Sequence, residues 1–104
     1  MWHIVDMPVR PQRLDETLVT RWADDHGWTF ANAALTKSFA GQSYSAGVAF
    51  VVRVAMAAEA KDHHPDIELT YGKVALRWTT HDQGGVTQLD LDLAAACDAM
   101  APPP

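Results

Sequence analysis

Cysteine is nearly absent from this chain. Of 104 residues only Cys97 is one, so no internal disulfide can form and a reducing, cytoplasmic setting is expected. Basic runs are missing too. Eight Lys and Arg stand against thirteen Asp and Glu, a formal net charge of −5, which disfavours direct contact with nucleic acid or an anionic membrane. The longest apolar run, residues 46–60, is broken by Arg53 and Glu59 and is too short and too charged to span a bilayer. The first residues lack a basic stretch followed by an apolar core, so no signal peptide is expected. Gly84-Gly85 lacks the rest of a phosphate-cradling glycine pattern, and no serine elbow is present. Cys97 has no base nearby in sequence and reads as a packed thiol.

What remains is an ordinary globular composition, 48% apolar and 20% charged, enough for one core. A single domain over 1–104 is expected, with residues 1–13 and 101–104, both rich in proline, poorly ordered. Leu14, Leu18 and Trp22 recur at helical spacing, with Asp15 to cap and Gly27 to end, which predicts a helix over 15–26. Residues 28–30 and 35–39 alternate and flank Asn32, predicting a short hairpin. Ser43 or Ser45 can cap a central helix over 44–62, whose buried face is expected at Tyr44, Gly47, Val51, Val54, Ala55 and Ala58. Four valines over 48–54 make a buried strand the rival there. Gly47 and the alanines would let this helix approach a sheet closely.

The clearest hairpin follows: Ile67, Leu69 and Tyr71, a turn at Gly72-Lys73, then Val74, Leu76 and Trp78. After the loop at residues 83–85, Thr87 and Asp90 have the spacing of a capping box opening a last helix. The fold class is therefore α+β, order α-β-β-α-β-β-α: a four-stranded antiparallel sheet with three helices packed on one face.

Three of five histidines fall within nineteen residues, at His63-His64-Pro65 and at His81. Pro65 pushes His64 towards an extended conformation, so the first stretch reads as a helix breaking into a strand. If the helix reached His63, Glu59 would share its face. His81 falls on one sheet face by strict alternation and on the other if the strand stops or bulges first. Three readings stand. The histidines could form a general acid/base set, with Glu59, Asp62 or Asp82 tuning the rings, because an unperturbed imidazole exchanges protons near neutral pH. They could ligate zinc or iron, although adjacent histidines diverge and metal-motif spacings are missing. They could also be a polar junction with no chemistry, and Asp90 no more than a helix cap.

The spacing carries a resemblance. An acid, three residues, His-His-Pro, five residues, an aromatic, nine residues, a histidine, eight residues and an Asp run here as Glu59, His63-His64-Pro65, Tyr71, His81 and Asp90. The pattern resembles the pterin-4a-carbinolamine dehydratases, most closely over residues 39–99. Departures are Gly41, where the family usually has an aromatic, and Ser43, where it usually has an acid. The resemblance implies conversion of 4a-hydroxytetrahydropterin to quinonoid dihydropterin plus water, without metal or bound cofactor. It implies His63 and His81 as the acid/base pair and His64 as a catalytic-site group that orients the pterin. Asp62, Thr79, Thr80 and Asp82 would add pterin contacts through side chain or backbone, with Glu59 behind His63 and Asp90 in support. A homodimer or homotetramer is implied, with a pterin as partner and neither nucleic acid nor membrane. The alternative is a dehydratase-like protein-binding or assembly module, of transcriptional-cofactor or chaperone type, with little enzymatic activity.

Overall fold

A computed structural model describes residues 11–103. Helix α1 spans Glu16–His26; Asp15 accepts hydrogen bonds from the Thr17 and Leu18 main-chain N–H groups, and Gly27 ends the helix at a φ of 75°. Strands β1 (Thr29–Ala31) and β2 (Ala34–Ala40) follow, joined at Asn32 and Ala33, both with positive φ, as a two-residue hairpin turn requires. Helix α2 covers Tyr44–Ala60, and Ser43 is the residue that caps it. The strand rival over 48–54 is thus excluded, and the helix stops two residues before the expected end.

Strands β3 (Asp66–Thr70) and β4 (Lys73–Trp78) pair antiparallel, and helix α3 runs over Gln88–Met100. The sheet order is β1-β2-β4-β3 with every neighbouring pair antiparallel, and the expected α+β order holds. Along β4 the alternation is clean: Val74, Leu76 and Trp78 are buried under the helices, while Ala75 and Arg77 lie on the uncovered face. Phe50, Val54, Leu35 and Trp78 form the centre of the core. Gly47 lets α2 sit close on the sheet, since a Cβ there would meet Leu69 Cδ1 at 3.2 Å. Two residues expected on the buried face of α2 are elsewhere: Tyr44 is 51% exposed and Ala55 is exposed, and Phe50 fills the core instead. The heavy run of apolar residues around α2 hid which side faces the sheet.

Residues 1–10 and 104, and with them most of the ends expected to be loose, lie outside the described residues. Arg13, in the described part of that lead-in, bridges to Thr87, and the Leu14 N–H donates to the Val86 carbonyl at 2.8 Å. Among the described residues no helix is long and apolar enough to cross a membrane.

Candidate active site

The end of α2 sets the first histidine. Asp62 adopts a left-handed conformation, φ 48°, and the chain then closes back on the helix: Asp62 N–H donates to the Glu59 carbonyl and His63 N–H to the Ala58 carbonyl, both at 3.1 Å. This is the paired bonding of a Schellman termination, with Asp where glycine is usual, a substitution Asp tolerates better than most residues. The turn swings His63 off the line of the helix and against the last residue of β4. There its ring stacks on Trp78, centroids 5.8 Å apart and planes within 15°. Pro65 then carries the chain into β3.

The second histidine is set by the loop after β4. Thr80 continues the inward parity of Trp78 and is buried, and its main chain bridges to Gly85. Between them His81–Gln83 forms one turn of 3-10 helix, closed by Gly84 at φ 69°. His81 is therefore on neither face of the sheet: the strand has stopped, and the turn holds it at the rim, exposed.

The two loops enclose a cleft of about 330 Å³ lined by Asp62, His63, His64, Thr79, Thr80, His81 and Asp82. These are the seven residues that the family resemblance implied as pterin-site groups. A hollow of about 420 Å³ over the uncovered sheet face is larger, but its lining, which includes Arg77 and Asp66, has no group whose ordinary pKa lies near neutrality. The cleft that gathers three histidines is therefore the candidate site.

Beneath the cleft lies a buried network. His63 Nε2 is 2.5 Å from Asp90 Oδ1, with Asp90 fully buried. The other oxygen, Oδ2, accepts from Thr80 Oγ1 at 2.7 Å and from the Thr87 main-chain N–H at 2.9 Å, the latter being half of the capping box. Asp90 is thus both the helix cap and the partner of His63. An ionised carboxylate can only accept, so the neutral His63 ring carries its hydrogen on Nε2, leaving Nδ1 as its free polar atom.

One expectation needs correction. Glu59 is not behind His63: its Oε1 lies 3.0 Å from Nε2 of His64, and both side chains are well exposed. The four-residue spacing failed because α2 ends at Ala60 and the left-handed turn at Asp62 exchanges the positions of the two histidines. The threonines were left open between side-chain and main-chain contact, and their hydroxyls are bonded within the protein. Thr79 Oγ1 donates to the Ala33 carbonyl at 2.7 Å and Thr80 Oγ1 is held by Asp90, while the Thr80 main chain is itself bonded to Gly85 and Gln83. Asp62 and Asp82 stand exposed at the rim. Tyr71, the aromatic of the spacing pattern, is 88% exposed in the β3–β4 turn, at the far end of β4 from the cleft.

Trp78 and Thr87 were read as core and cap, and the structure adds a wall and a support for the site. The signal was available, since Trp78 and Thr80 share parity on β4 and Thr87 stands three residues before Asp90. One atom each from Glu59, Asp62 and His64 lie within 4.8 Å of one another. All three are exposed, and such groups are common on surfaces without an ion, so no metal is assigned to them.

Comparison with known proteins agrees with this geometry. The family described as pterin 4 alpha carbinolamine dehydratase matches residues 7–100. A protein of Roseiflexus sp. (strain RS-1), provisionally named pterin-4-alpha-carbinolamine dehydratase, is 46% identical over 83% of this chain and 92% of its own length. A Rhodospirillum rubrum protein with the same provisional name is 43% identical over 85% of this chain and 95% of its own. Among solved structures, a transcriptional coactivator/pterin dehydratase from Brucella melitensis superposes with a TM-score of 0.81 at 32% identity, covering 88% of this chain and all of that one. A pterin dehydratase-like protein identified as a RuBisCO assembly factor in the alpha-carboxysome gives 0.59 at 25% identity, covering 71% and 86% of the two chains. With the match running over nearly the whole chain, the protein belongs to the pterin 4 alpha carbinolamine dehydratase family.

Proposed function

We propose that the protein dehydrates 4a-hydroxytetrahydropterin to quinonoid dihydropterin, with His63 and His81 exchanging the protons. One observation carries this reading: all three histidines of the pattern line a single cleft, and one of them is tied to a fully buried carboxylate. In the substrate, C4a bears a hydroxyl and is bonded to N5–H. The C4a–O bond breaks as the oxygen takes a proton and leaves as water. N5 gives up its proton, and its electron pair forms the C4a=N5 double bond. Asp90 is arranged to stabilise a charged His63 ring, so His63 collects the N5 proton at Nδ1. His81, exposed at the rim, supplies the proton to the departing hydroxyl and reloads from solvent. His64 orients the pterin, Asp62 and Asp82 flank it, and the main chain at Thr79 offers hydrogen bonds to its edge. The nitrogen lone pair assists loss of hydroxide, so modest proton transfer suffices. Recycling of a tetrahydropterin in the cytoplasm is the corresponding role.

The test is ultraviolet absorbance of freshly generated 4a-hydroxytetrahydropterin, with the spontaneous reaction as baseline. The parent protein should accelerate the conversion, and His63→Ala and His81→Ala should each lose most of that acceleration while staying folded. Full activity in both variants would overturn the assignment of roles.

A second reading, a protein-binding or assembly module, is favoured by a different feature. Val48, Val52 and Met56 are exposed at four-residue spacing along α2 with Tyr44, and a helix apolar on nearly every side is normally covered. The solved relatives named for coactivation and for assembly point the same way. Under the leading reading that stripe is where copies of the chain meet in a homodimer or homotetramer. Sedimentation of Val52→Lys beside the parent distinguishes these: dissociation supports self-association, whereas a parent that is already monomeric and pterin-inactive favours the module.

A further inference from the structure

We propose that the Thr80 hydroxyl is a positioning group for His63, acting through Asp90 as the end of a short relay that begins at Thr87. The inference rests on the dehydratase reading for its effect on rate, but its structural content does not.

Three buried oxygens make up the relay. Thr80 Oγ1 lies 2.7 Å from Asp90 Oδ2 and 2.9 Å from Thr87 Oγ1, whereas Thr87 Oγ1 is 3.5 Å from Asp90 Oδ2. A hydroxyl has one hydrogen to give. The shorter contacts assign it: Thr87 donates to Thr80, and Thr80 donates to Asp90. Oδ2 then has two good donors, the Thr80 hydroxyl and the Thr87 main-chain N–H, and is satisfied. Oδ1 is left with His63 alone. The network is therefore directional, since its donors fill one carboxylate oxygen and aim the other at Nε2 of the ring.

Burial makes that direction matter. Thr80 is 5% exposed, and Thr87 and Asp90 are fully buried, so no water replaces a missing donor. With Trp78 fixing the plane of His63, rotation of the Asp90 carboxylate is the freedom left to the pair, and the Thr80 hydroxyl restrains it together with the Thr87 N–H. His64 has nothing of this kind; its partner Glu59 is 75% exposed. The family resemblance placed Thr80 among the pterin contacts, through side chain or backbone, and the structure puts its hydroxyl on the carboxylate that holds His63.

Thr80→Val keeps the side-chain shape and removes only the donor. We expect kcat to fall roughly ten- to hundredfold with KM little changed, the signature of a transition-state interaction lost at a distance from the substrate. Thr80→Ser, which keeps the hydroxyl, should recover most of the rate. In ring-labelled protein, the His63 ¹⁵N shifts should report one tautomer, hydrogen on Nε2, in the parent and in Thr80→Ser, and a mixture of tautomers in Thr80→Val. Parent kcat together with a parent ring spectrum in Thr80→Val would overturn the proposal. If Thr80→Val does not fold, Thr87→Ala takes its place: it keeps the main-chain N–H on Asp90 but removes the donor to Thr80. A smaller fall in kcat and partial tautomer mixing are then expected, and the absence of both overturns the relay. The ring spectrum needs no turnover, so a parent without dehydratase activity defeats the proposed function while leaving the relay to be judged on the ring spectrum.

Discussion

His63 and His64 are neighbours in the chain, and each places Nε2 on a carboxylate, at 2.5 Å for His63–Asp90 and 3.0 Å for His64–Glu59. On a contact diagram the pairs look alike. Their surroundings do not: side-chain exposures are 12% and 0% in the first pair, and 58% and 75% in the second. Water competes for every partner in the exposed pair, and such contacts contribute about 0–1 kcal/mol at most. In the buried pair every lone pair must be satisfied from within, and the Thr80–Thr87 network does so on one side only. The same local contact is a surface adornment in one place and the orientation of a base in the other. Burial decides which.

Asp90→Asn breaks the comparison most severely. Thr87 N–H and Thr80 O–H still need an acceptor, so the amide oxygen takes the place of Oδ2 and the NH₂ turns to His63. Nε2 must then accept, and the neutral ring holds its hydrogen on Nδ1 instead. His63 can no longer collect a proton from a ligand in the cleft. We expect kcat to fall by about 10²–10⁴-fold, the range of a positioned general base, with the fold retained by circular dichroism. A variant within threefold of the parent would show that His63 does not act through Nδ1.

Glu59→Gln is the matched change on the other pair, and it should do little. Loss of one exposed ion pair corresponds to about a fivefold effect at most, confined to KM, and raising the salt concentration should mimic it in the parent. A fall in kcat comparable with that of Asp90→Asn would mean that His64, rather than His63, is the base.

The two pairs also show what could be read from the sequence and what could not. The element order and the capping residues Asp15, Ser43 and Thr87 were legible because caps and alternation are local properties, whereas the seven cleft residues were named through the family resemblance. Which acid meets which histidine was not legible. That assignment depends on where α2 stops and on Asp62 turning left-handed, and a positive φ at a non-glycine residue leaves no periodic trace. A strictly helical reading thus gave Glu59 to His63. Asp90 is instructive in the opposite sense. It was read as a cap or as a supporting carboxylate, and it is both, since its two oxygens divide the tasks.

Cys97 sharpens the comparison with the smallest effect. It follows Asp90 by two helical turns on α3, hence on the same face, and is buried near Trp78, whose ring backs His63. Burial pushes its thiol up from 9.0 to about 11, the Trp78 indole pulling more weakly the other way. The folded thiol therefore holds its proton more tightly than the unfolded one. Its contribution to stability is complete below pH 9.0 and is lost as pH rises through about 11. Urea midpoints measured between pH 8 and pH 11 should accordingly fall more steeply in the parent than in Cys97→Ala. At pH 8 the thiolate fraction is about a hundredfold below that of an ordinary cysteine, so Ellman's reagent should react at a rate limited by opening of the fold. Rapid labelling of the folded protein would mean that water reaches the wall behind His63. In that case the contrast between the buried and exposed pairs, on which the assignment of the base rests, would shrink with it.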